Sequence, residues 1–577
     1  MKRKYLLACL LLCTMLTGCI LSTIAEEISI TPMDPDTLFS VRDTDFSWQD
    51  RAVTEIQLQN ESVTITEKGV YLLSGSMENG QIIVDVPKDD KVQLVLADVS
   101  VHCDTHAALY VKQADKVFIT LAPDTENSLS CGETFVQTDE HNVDAALFSR
   151  DDITLNGEGC LSIRSPGGHG VVSKDELTVT GGSYIIHAAA HGFSAQDNIC
   201  ISGGAFHVTA GKDGFHAEHD EDSSLGFVFL SGGAFDVTAQ QDGISASGAM
   251  EITGGTYTLL CGDGSENGET HQTGMMNGPR GGRGPFGGRP DGQGSFSPWD
   301  NNGQAAEDNA ASVSKKGLKA GSTMLLSGGT YSIDSADDAL HSNQSMLLTS
   351  GTFTIRTGDD GVHAEDTLQI NGGHMLIEKS YEGLEALHIR LNGGDITLIA
   401  DDDGLNAAGG TDESGYGNMD AFGGWGGRGQ GGMHAGNGSI IISDGILSIT
   451  ASGDGIDANG SFRMDGGYVT VCGPTRGDTA TLDYDTTAEI NGGTFIGTGA
   501  MGMAQTFSGG TQGKLAVQVG NAKAGSTITL THENGREILS YCVPMDYNLV
   551  ILSSPDIIQG ESYTIQIGTA SGTFAAQ

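Results

Sequence analysis

Acidic side chains recur at a fixed spacing through residues 324–410 of this 577-residue sequence. Each copy carries an acidic residue, then glycine or alanine, an aliphatic residue, one variable residue, and alanine or serine, as in Asp360-Gly-Val-His-Ala. The small residue that follows the acid stands at positions 339, 361, 383 and 404, so the period is about 22 residues. A fixed period of this size indicates a repeat protein in which equivalent side chains are stacked on one another.

The stacked carboxylates predict a cation site. Equivalent residues of neighbouring strands lie ~4.8 Å apart, and two charges at that distance repel by roughly 3 kcal/mol at an effective dielectric of 20. Oxygen ligands of this kind suit Ca²⁺. The alternative is that Asp-Gly is simply a favourable turn sequence, which we favour for isolated acids such as Asp242 and Asp454. The predicted calcium ligands are Asp337, Asp338, Asp359, Asp360, Glu382, Asp402 and Asp403, with Glu385 or Asn406 as a further ligand.

The elements that position these acids are short β-strands. Each 22-residue copy has alternating apolar runs separated by Gly-Gly or Asp-Gly, which are typical of strands and turns. Three strands and three turns in each copy predict one coil of a parallel β-helix. Alternation also places the aliphatic residue and the alanine inward, so the variable residue between them is expected to face solvent.

The spacing of Gly-Gly pairs also predicts the organisation of the chain. We predict a linker and N-terminal cap at 19–60, a parallel β-helix at 61–513 and a C-terminal β cap at 514–577, where the Gly-Gly period is lost. A separate N-terminal β-domain is the alternative for residues 63–163. Two Gly-rich inserts, at about 264–311 and 409–438, interrupt the coils and are expected to be mobile.

The N-terminus has the features of a secretion signal. A basic start is followed by an apolar stretch that is too short to span a membrane, and Leu16-Thr-Gly-Cys19 resembles a bacterial lipobox. We predict a signal peptide at 1–18 and a lipid on Cys19; an ordinary signal peptide is the alternative. The protein is then expected at the extracellular face of the bacterial cell membrane, as a monomer held by the lipid alone.

Charge and cysteine content exclude other partners. A formal net charge of −45 excludes electrostatic binding of nucleic acid or of an anionic membrane, and suits metal cations. The seven cysteines beyond Cys19 are scattered without C-x-x-C spacing, which argues against a zinc site.

Several segments resemble a known family. They are Ser380-Tyr-Glu-Gly-Leu-Glu-Ala, Asp401-Asp-Asp-Gly-Leu-Asn-Ala-Ala, Gly358-Asp-Asp-Gly-Val-His-Ala, Gly69-Val-Tyr-Leu-Leu-Ser-Gly and Ala146-Leu-Phe-Ser-Arg-Asp-Asp-Ile-Thr-Leu-Asn-Gly-Glu-Gly. Over roughly residues 60–500 the sequence is similar to a clostridial-type carbohydrate-binding β-helix family. The resemblance implies a right-handed parallel β-helix, bound calcium, a cellulose or polygalacturonate ligand, and structural similarity to family 9 pectate lyases. The Gly-rich inserts depart from the family pattern.

Three functions are compatible with these observations. The first, which we favour, is calcium-dependent binding of an acidic or plant cell-wall polysaccharide without catalysis. The second is a polysaccharide lyase, which would also need a base to remove the C5 proton. The third is a structural surface adhesin in which calcium only holds the coils. The candidate bases near the acids are Lys316, Lys319, Lys379, Arg356 and Arg390, and none of them lies in a motif that marks a catalytic base.

Overall fold

The computed structural model describes residues 27–268, 313–408, 437–477 and 479–577. The signal sequence, Cys19 and nearly all of both Gly-rich inserts lie outside these residues. The described chain is all-β, as the sequence predicted. Its helices are two single turns, α1 (Pro35–Leu38) and α2 (Val41–Thr44), and a 3₁₀ turn at Ser265–Asn267. No helix in these residues is long and apolar enough to cross a membrane.

Most strands belong to one long sheet with three parallel ladders, here called A, B and C. In every ladder a strand pairs in parallel with its counterpart about one repeat later, for example Leu340 with Val362 and Met346 with Leu368. The chain runs through A, then B, then C, and returns to A. This order explains why one 22-residue copy contains three strands.

Ladder A begins with the acidic turns. Its strands are β2 (Val63–Ile65), β4 (Ile82–Asp85), β6 (Leu109–Gln113), β9 (Ala145–Ser149), β12 (His169–Ser173), β15 (Phe193–Ala195), β18 (Phe215–Ala217), β21 (Ile244–Ala246), β24 (Leu318–Ala320), β27 (Leu340–Ser342), the first parts of β30 (Val362–Ile370) and β32 (Leu384–Leu391), β34 (Leu405–Asn406) and β37 (Ile456–Asp457).

Ladder B follows in each coil. Its strands are β1 (Val53–Leu58), the first parts of β3 (Gly69–Met77) and β5 (Lys91–Cys103), β7 (Lys116–Leu121), β10 (Asp152–Gly157), β13 (Glu176–Val179), β16 (Asn198–Ile201), β19 (Phe227–Leu230), β22 (Met250–Ile252), β25 (Met324–Leu326), β28 (Met346–Leu348), the second parts of β30 and β32, β35 (Gly438–Ile442), β38 (Gly460–Met464) and β40 (Thr487–Ile490).

Ladder C completes the coil after the Gly-Gly turn. Its strands are the second parts of β3 and β5, β8 (Glu126–Cys131), β11 (Cys160–Ser165), β14 (Ser183–Ala188), β17 (Ala205–Ala210), β20 (Ala234–Ala239), β23 (Thr256–Cys261), β26 (Thr330–Ser335), β29 (Thr352–Thr357), β31 (His374–Ser380), β33 (Asp395–Ala400), β36 (Ile446–Ala451), β39 (Tyr468–Cys472) and β41 (Thr494–Gly499).

The last strands are antiparallel. β41 pairs with β45 (Tyr547–Ser553), which pairs in turn with β42 (Lys514–Ala522). β43 (Thr527–His532), β44 (Glu537–Cys542), β46 (Ser562–Ile567) and β47 (Ala570–Ala575) form a separate four-stranded sheet.

The core contains a stack of aromatic rings contributed by successive strands of ladder C. Neighbouring ring centroids lie 4.5–5.3 Å apart and the planes are within 14° of parallel. These side chains are almost completely buried, so the stack supplies much of the apolar surface that holds consecutive coils together. Its members are Tyr184, Phe206, Phe235, Tyr257, Tyr331 and Phe353.

Gly329 is required by this stack and provides a first test. Its φ is +95°, and a Cβ there would lie 2.7 Å from the hydroxyl oxygen of Tyr331. We expect Gly329→Ala to lower the free energy of unfolding by about 1–3 kcal/mol, measured by chemical denaturation. Gly520→Ala is the control, because a Cβ at Gly520 meets nothing within 4 Å. Equal stabilities of the two variants would contradict this account.

The segment before β1 lies along the outer face of ladder B. The backbone N–H of Met33 donates to Glu251 Oε2 (2.6 Å), and Phe39 contacts Phe229 with ring centroids 6.0 Å apart. Asp43 is buried there and forms an ion pair with Lys116 (3.1 Å). This part of the predicted linker therefore covers outward-facing apolar side chains of ladder B.

Candidate functional site

The acidic residues lie in the turns from ladder C into ladder A, in register from coil to coil. The N–H of the residue after each acid donates to the carbonyl of the acid in the next coil, as from Gly361 to Glu382 and from Gly383 to Asp403, both 2.9 Å. A Cβ at Gly361 would lie 2.6 Å from the carbonyl oxygen of Gly383, so glycine permits this close approach. We call the resulting row the acid column: Asp213, Asp242, Lys316, Asp338, Asp360, Glu382, Asp403 and Asp454.

The variable residue of each repeat forms a second row beside the acid column. Its members at His341 and His363 are only 2% and 4% exposed, so the expectation that this position faces solvent is wrong for them. The side chain of the preceding acid lies against each ring: His341 Nδ1 is 2.8 Å from Asp338, and His363 Nδ1 is 3.0 Å from Asp360. The predicted inward direction of the aliphatic neighbours, Leu340 among them, is confirmed by their burial.

The carboxylates of Asp337 and Asp338 are already paired with a cationic side chain of the same protein. Lys316 Nζ lies 2.8 Å from Asp337 Oδ1 and 2.9 Å from Asp338 Oδ2, and the lysine side chain is 3% exposed. Burial alone would favour a neutral Asp338, but Lys316 and His341 hold the pKa of Asp338 well below its usual range. This part of the predicted calcium set is therefore neutralised by the chain itself. Asp359 lies beside it, with one oxygen of each of the three carboxylates within 4.8 Å of the others.

The next two coils contain acids that lack such a cation. Burial, with the charges of Asp359 and Glu385, raises the pKa of Asp360 well above its usual range. Burial, with the charges of Glu385 and Asp403, also raises the pKa of Glu382 well above its usual range. Asp360, His363 and Glu385 each offer a ligand atom within 4.8 Å of the others. The described residues include no lysine or arginine that forms an ion pair with Asp360, Glu382 or Glu385.

A second acidic group follows at Asp403, Asp454 and Asp457, whose oxygens also lie within 4.8 Å of one another. Burial and the charge of Asp454 raise the pKa of Asp403 to about 8. Burial, with the charges of Asp457 and Asp483, raises the pKa of Asp454 to about 7.

Two of the other predicted ligands point to neighbours within this region. Asp402 accepts a hydrogen bond from the hydroxyl of Tyr381 (2.6 Å). Asn406 donates from Nδ2 to Glu382 (2.8 Å). Both side chains therefore flank the two acidic groups and connect them.

Asp454 and Asp242 are not isolated acids, contrary to the sequence-based interpretation. Leu405 pairs directly with Ile456, so Asp454 is the next member of the acid column after Asp403. In the same way Ile244 pairs with Leu318, which places Asp242 next to Lys316. The signals available in the sequence were Lys316-Gly after the first insert and Asp454-Gly after the second. Asp457 and the buried histidines were missed because we assigned the variable position to solvent.

The candidate bases are held by acidic or carbonyl partners. Lys379 Nζ lies 2.9 Å from Ser265 O and 3.1 Å from Glu266, and Arg356 lies 3.5 Å from Glu266. Lys319 Nζ contacts Ser314 Oγ (3.1 Å) and faces Asp242 (3.7 Å). Arg390 lies in the ladder B part of β32, away from the acid column.

The outer face of ladder C carries mostly small or polar side chains, as predicted, together with exposed apolar ones such as Ile185, Ile399 and Ile446. A shallow groove of about 330 Å³ crosses it, lined by residues that include Ser183, His207, Asp236 and Thr258. Small polar residues continue along the face. All but the half-buried Asp395 are exposed: Thr256, Thr258, Thr330, Ser332, Thr352, Thr354, Asp395 and Thr397.

Residues 59–361 match the family described as carbohydrate-binding domain-containing protein. The match covers more than half of the chain, so the chain belongs to this family. It is 32% identical over 189 residues to a carbohydrate-binding domain-containing protein of Acetivibrio thermocellus, in a region covering 32% of this chain and 65% of that relative. The chain thus spans slightly less than two thirds of the relative's length. A solved structure of a polysaccharide lyase-like protein from C. thermocellum, a gadolinium derivative, has 29% identity and a TM-score of 0.34, and the alignment covers 36% of this chain and 91% of that one.

Proposed function

We propose that this chain is an extracellular, calcium-dependent carbohydrate-binding protein for acidic or plant cell-wall polysaccharide. Membership of the carbohydrate-binding domain family supports the carbohydrate ligand. The observation that carries the calcium requirement is the run of partly buried acids from Asp360 to Asp457, in which burial and mutual repulsion raise carboxyl pKa values. A binding role is favoured over a lyase because Lys319, Lys379 and Arg356 are already engaged by other groups.

The architecture that we propose is a right-handed parallel β-helix. Ladders A, B and C would be its three faces, each coil would take about 22 residues, and the antiparallel strands after residue 513 would cap it. The regular pairing of each strand with its counterpart in the next coil supports this arrangement.

The residues present fit calcium by the chemistry of their donor atoms. Ca²⁺ takes six to eight oxygen ligands and prefers carboxylates. We propose one ion held by Asp360, Glu382 and Glu385 and one held by Asp403, Asp454 and Asp457, with Asp402 and Asn406 beside them. The rung at Asp337 and Asp338 would stay without an ion, because Lys316 already supplies the positive charge.

Calcium at this position would give the protein a way to bind an anionic sugar. A bound ion neutralises the local carboxylates and can accept the carboxylate of a uronate residue as an additional ligand. The side chain of Glu385 is 18% exposed, so the edge of this group is accessible from solvent. The outer face of ladder C offers hydroxyl groups to a neutral polysaccharide such as cellulose. We further propose that the lipid on Cys19 holds the protein, as a monomer, at the outer face of the membrane.

Calorimetric titration with polygalacturonate, with and without Ca²⁺, tests this proposal. We expect binding only with calcium, and at least about 10-fold weaker binding by the double variant Glu382→Gln, Asp403→Asn. Asp556→Asn is the matched control, because Asp556 is an exposed carboxylate near the C-terminus that belongs neither to the acid column nor to the ladder C groove.

The same samples distinguish the alternatives. Accumulation of the ultraviolet absorbance of a 4,5-unsaturated product would identify a lyase instead. Absence of binding in both conditions would favour the third function, a structural surface adhesin in which calcium only stabilises the packing of the coils.

A further inference from the structure

Three imidazole rings stack at the N-terminal end of the acid column, in coils that the proposed calcium groups do not reach. The rings of His169 and His191 have centroids 5.0 Å apart, and those of His191 and His216 are 4.2 Å apart and within 17° of parallel. His169 and His191 occupy the position before the glycine in two successive coils, and Asp213 occupies it in the third. A row that is mostly acidic in the later coils therefore presents imidazole side chains here.

Asp213 connects the last two rings of the stack. Its Oδ2 lies 2.6 Å from His216 Nδ1 and 3.3 Å from His191 Nδ1. One ligand atom from each of the three residues lies within 4.8 Å of the other two. Zinc–ligand bonds of ~2.0–2.1 Å in tetrahedral geometry place neighbouring ligand atoms ~3.3 Å apart. To admit the ion, the His216–Asp213 contact would open slightly and His191 Nδ1 would exchange the backbone N–H of Asp213 (3.2 Å) for the metal.

The groups around these three residues orient them as ligands. Asp213 Oδ1 accepts the backbone N–H of Asp242 (2.9 Å), which leaves Oδ2 directed at the histidines. His216 Nε2 lies 3.0 Å from Glu218 Oε2, so its other ring nitrogen is free to serve the cluster. A carboxylate on the distal nitrogen of a histidine ligand is the usual outer partner at metal sites.

The group of His191, Asp213 and His216 differs in its neighbouring charges from the similar group at Asp338 and His341. Lys316 occupies that second group, whereas among the described residues Asp213 forms ion pairs only with histidines. Lys212 is nearby and faces His169 and His191. His169 stacks on the opposite side of the His191 ring from His216. The Nδ1 of His169 is buried without a hydrogen-bond partner in the described residues.

We propose that His191, Asp213 and His216 bind a divalent transition-metal ion, with zinc the best match to two imidazoles and one carboxylate and with His169 as the candidate fourth ligand. The ion would take the place of the proton shared between His216 Nδ1 and Asp213. Imidazole ligands select Zn²⁺ and related ions, whereas Ca²⁺ prefers oxygen, so this site differs in chemistry from the calcium groups. It does not depend on the proposed glycan function.

The test is titration of the full chain with Zn²⁺, and with Co²⁺ as a spectroscopic probe, in excess Ca²⁺ that fills oxygen sites. We expect one equivalent to bind, with the visible bands of four-coordinate Co²⁺. Glu218→Gln is expected to weaken binding roughly 10-fold, and His191→Ala to weaken it more. His207→Ala is the matched control, because His207 is an exposed histidine that also pairs with an aspartate.

Unchanged binding in both His191→Ala and Glu218→Gln would overturn the proposal, as would loss of the ion in His207→Ala or its displacement by Ca²⁺. Circular dichroism checks that His191→Ala is folded. If that variant does not fold, Glu218→Gln carries the test by itself, because the glutamate side chain is 58% exposed and its replacement keeps its size.

Discussion

Lys316→Met is expected to lower the free energy of unfolding by about 3–5 kcal/mol, because it removes the cation from a buried charge cluster. The lysine is 3% exposed, and Asp338, one of its two carboxylate partners, is fully buried. Methionine keeps most of the side-chain volume, so the loss measures the charge and not a cavity. Chemical denaturation in the presence of a chelator gives the value.

Lys379→Met is the control for this prediction. Lys379 also pairs with a carboxylate, but its partner Glu266 is 77% exposed, and exposed pairs contribute about 0–1 kcal/mol. We also expect added Ca²⁺ to restore part of the stability of Lys316→Met, because the variant leaves Asp337, Asp338 and Asp359 as a set of oxygen ligands. Equal losses in the two variants would show that Asp337 and Asp338 do not need a cation.

Raising the pH from about 7 to about 8.5 in a chelator is expected to lower the melting temperature. The pKa of Asp403 is raised to about 8 and those of Asp360 and Glu382 are raised well above normal, so the folded chain retains protons that the unfolded chain has lost. Stability therefore falls as pH rises, by ~1.4 kcal/mol per pH unit for each carboxyl that stays protonated. Asp175, with a pKa raised to about 7 by burial and Asp152, acts in the same direction.

Calcium is expected to remove most of this pH dependence, because it replaces the protons on the acid column. An ion at 100 times its dissociation constant stabilises the folded state by ~2.7 kcal/mol for each site. The histidines with lowered pKa values affect stability mainly below pH 7. His216 and His532, whose pKa values are raised, act in the same direction as the carboxyls, so a carboxyl variant is needed to identify the carboxyl contribution. Asp403→Asn should flatten the curve measured in chelator, whereas Asp236→Asn should leave it unchanged. A melting temperature that rises with pH in chelator would contradict the assignment.

The repeat is the part of this protein that local sequence determines. Alternating apolar residues, turn glycines and the 22-residue period predict the short strands, the inward direction of residues such as Leu340 and the stacking of the acids. These features depend on neighbours within a few positions, because strand side chains alternate and glycine permits the turns. Membership of a carbohydrate-binding family, expected from the motifs, is confirmed by the match over residues 59–361. Calcium, the lipid on Cys19 and the glycan remain predictions.

Only the tertiary structure decided which charged groups meet. Asp454 follows Asp403 and Asp242 adjoins Lys316 because strand pairing brings together segments that long inserts separate in the sequence. The same pairing buries His341 and stacks His191 on His216. The balance between acid and cation in each coil thus depends on which side chains of neighbouring coils are in contact, and that depends on burial and side-chain direction as well as on the order of the coils. The local pattern determines the repeat, and the pairing of repeats determines where the chain neutralises its own acids and where we propose a metal.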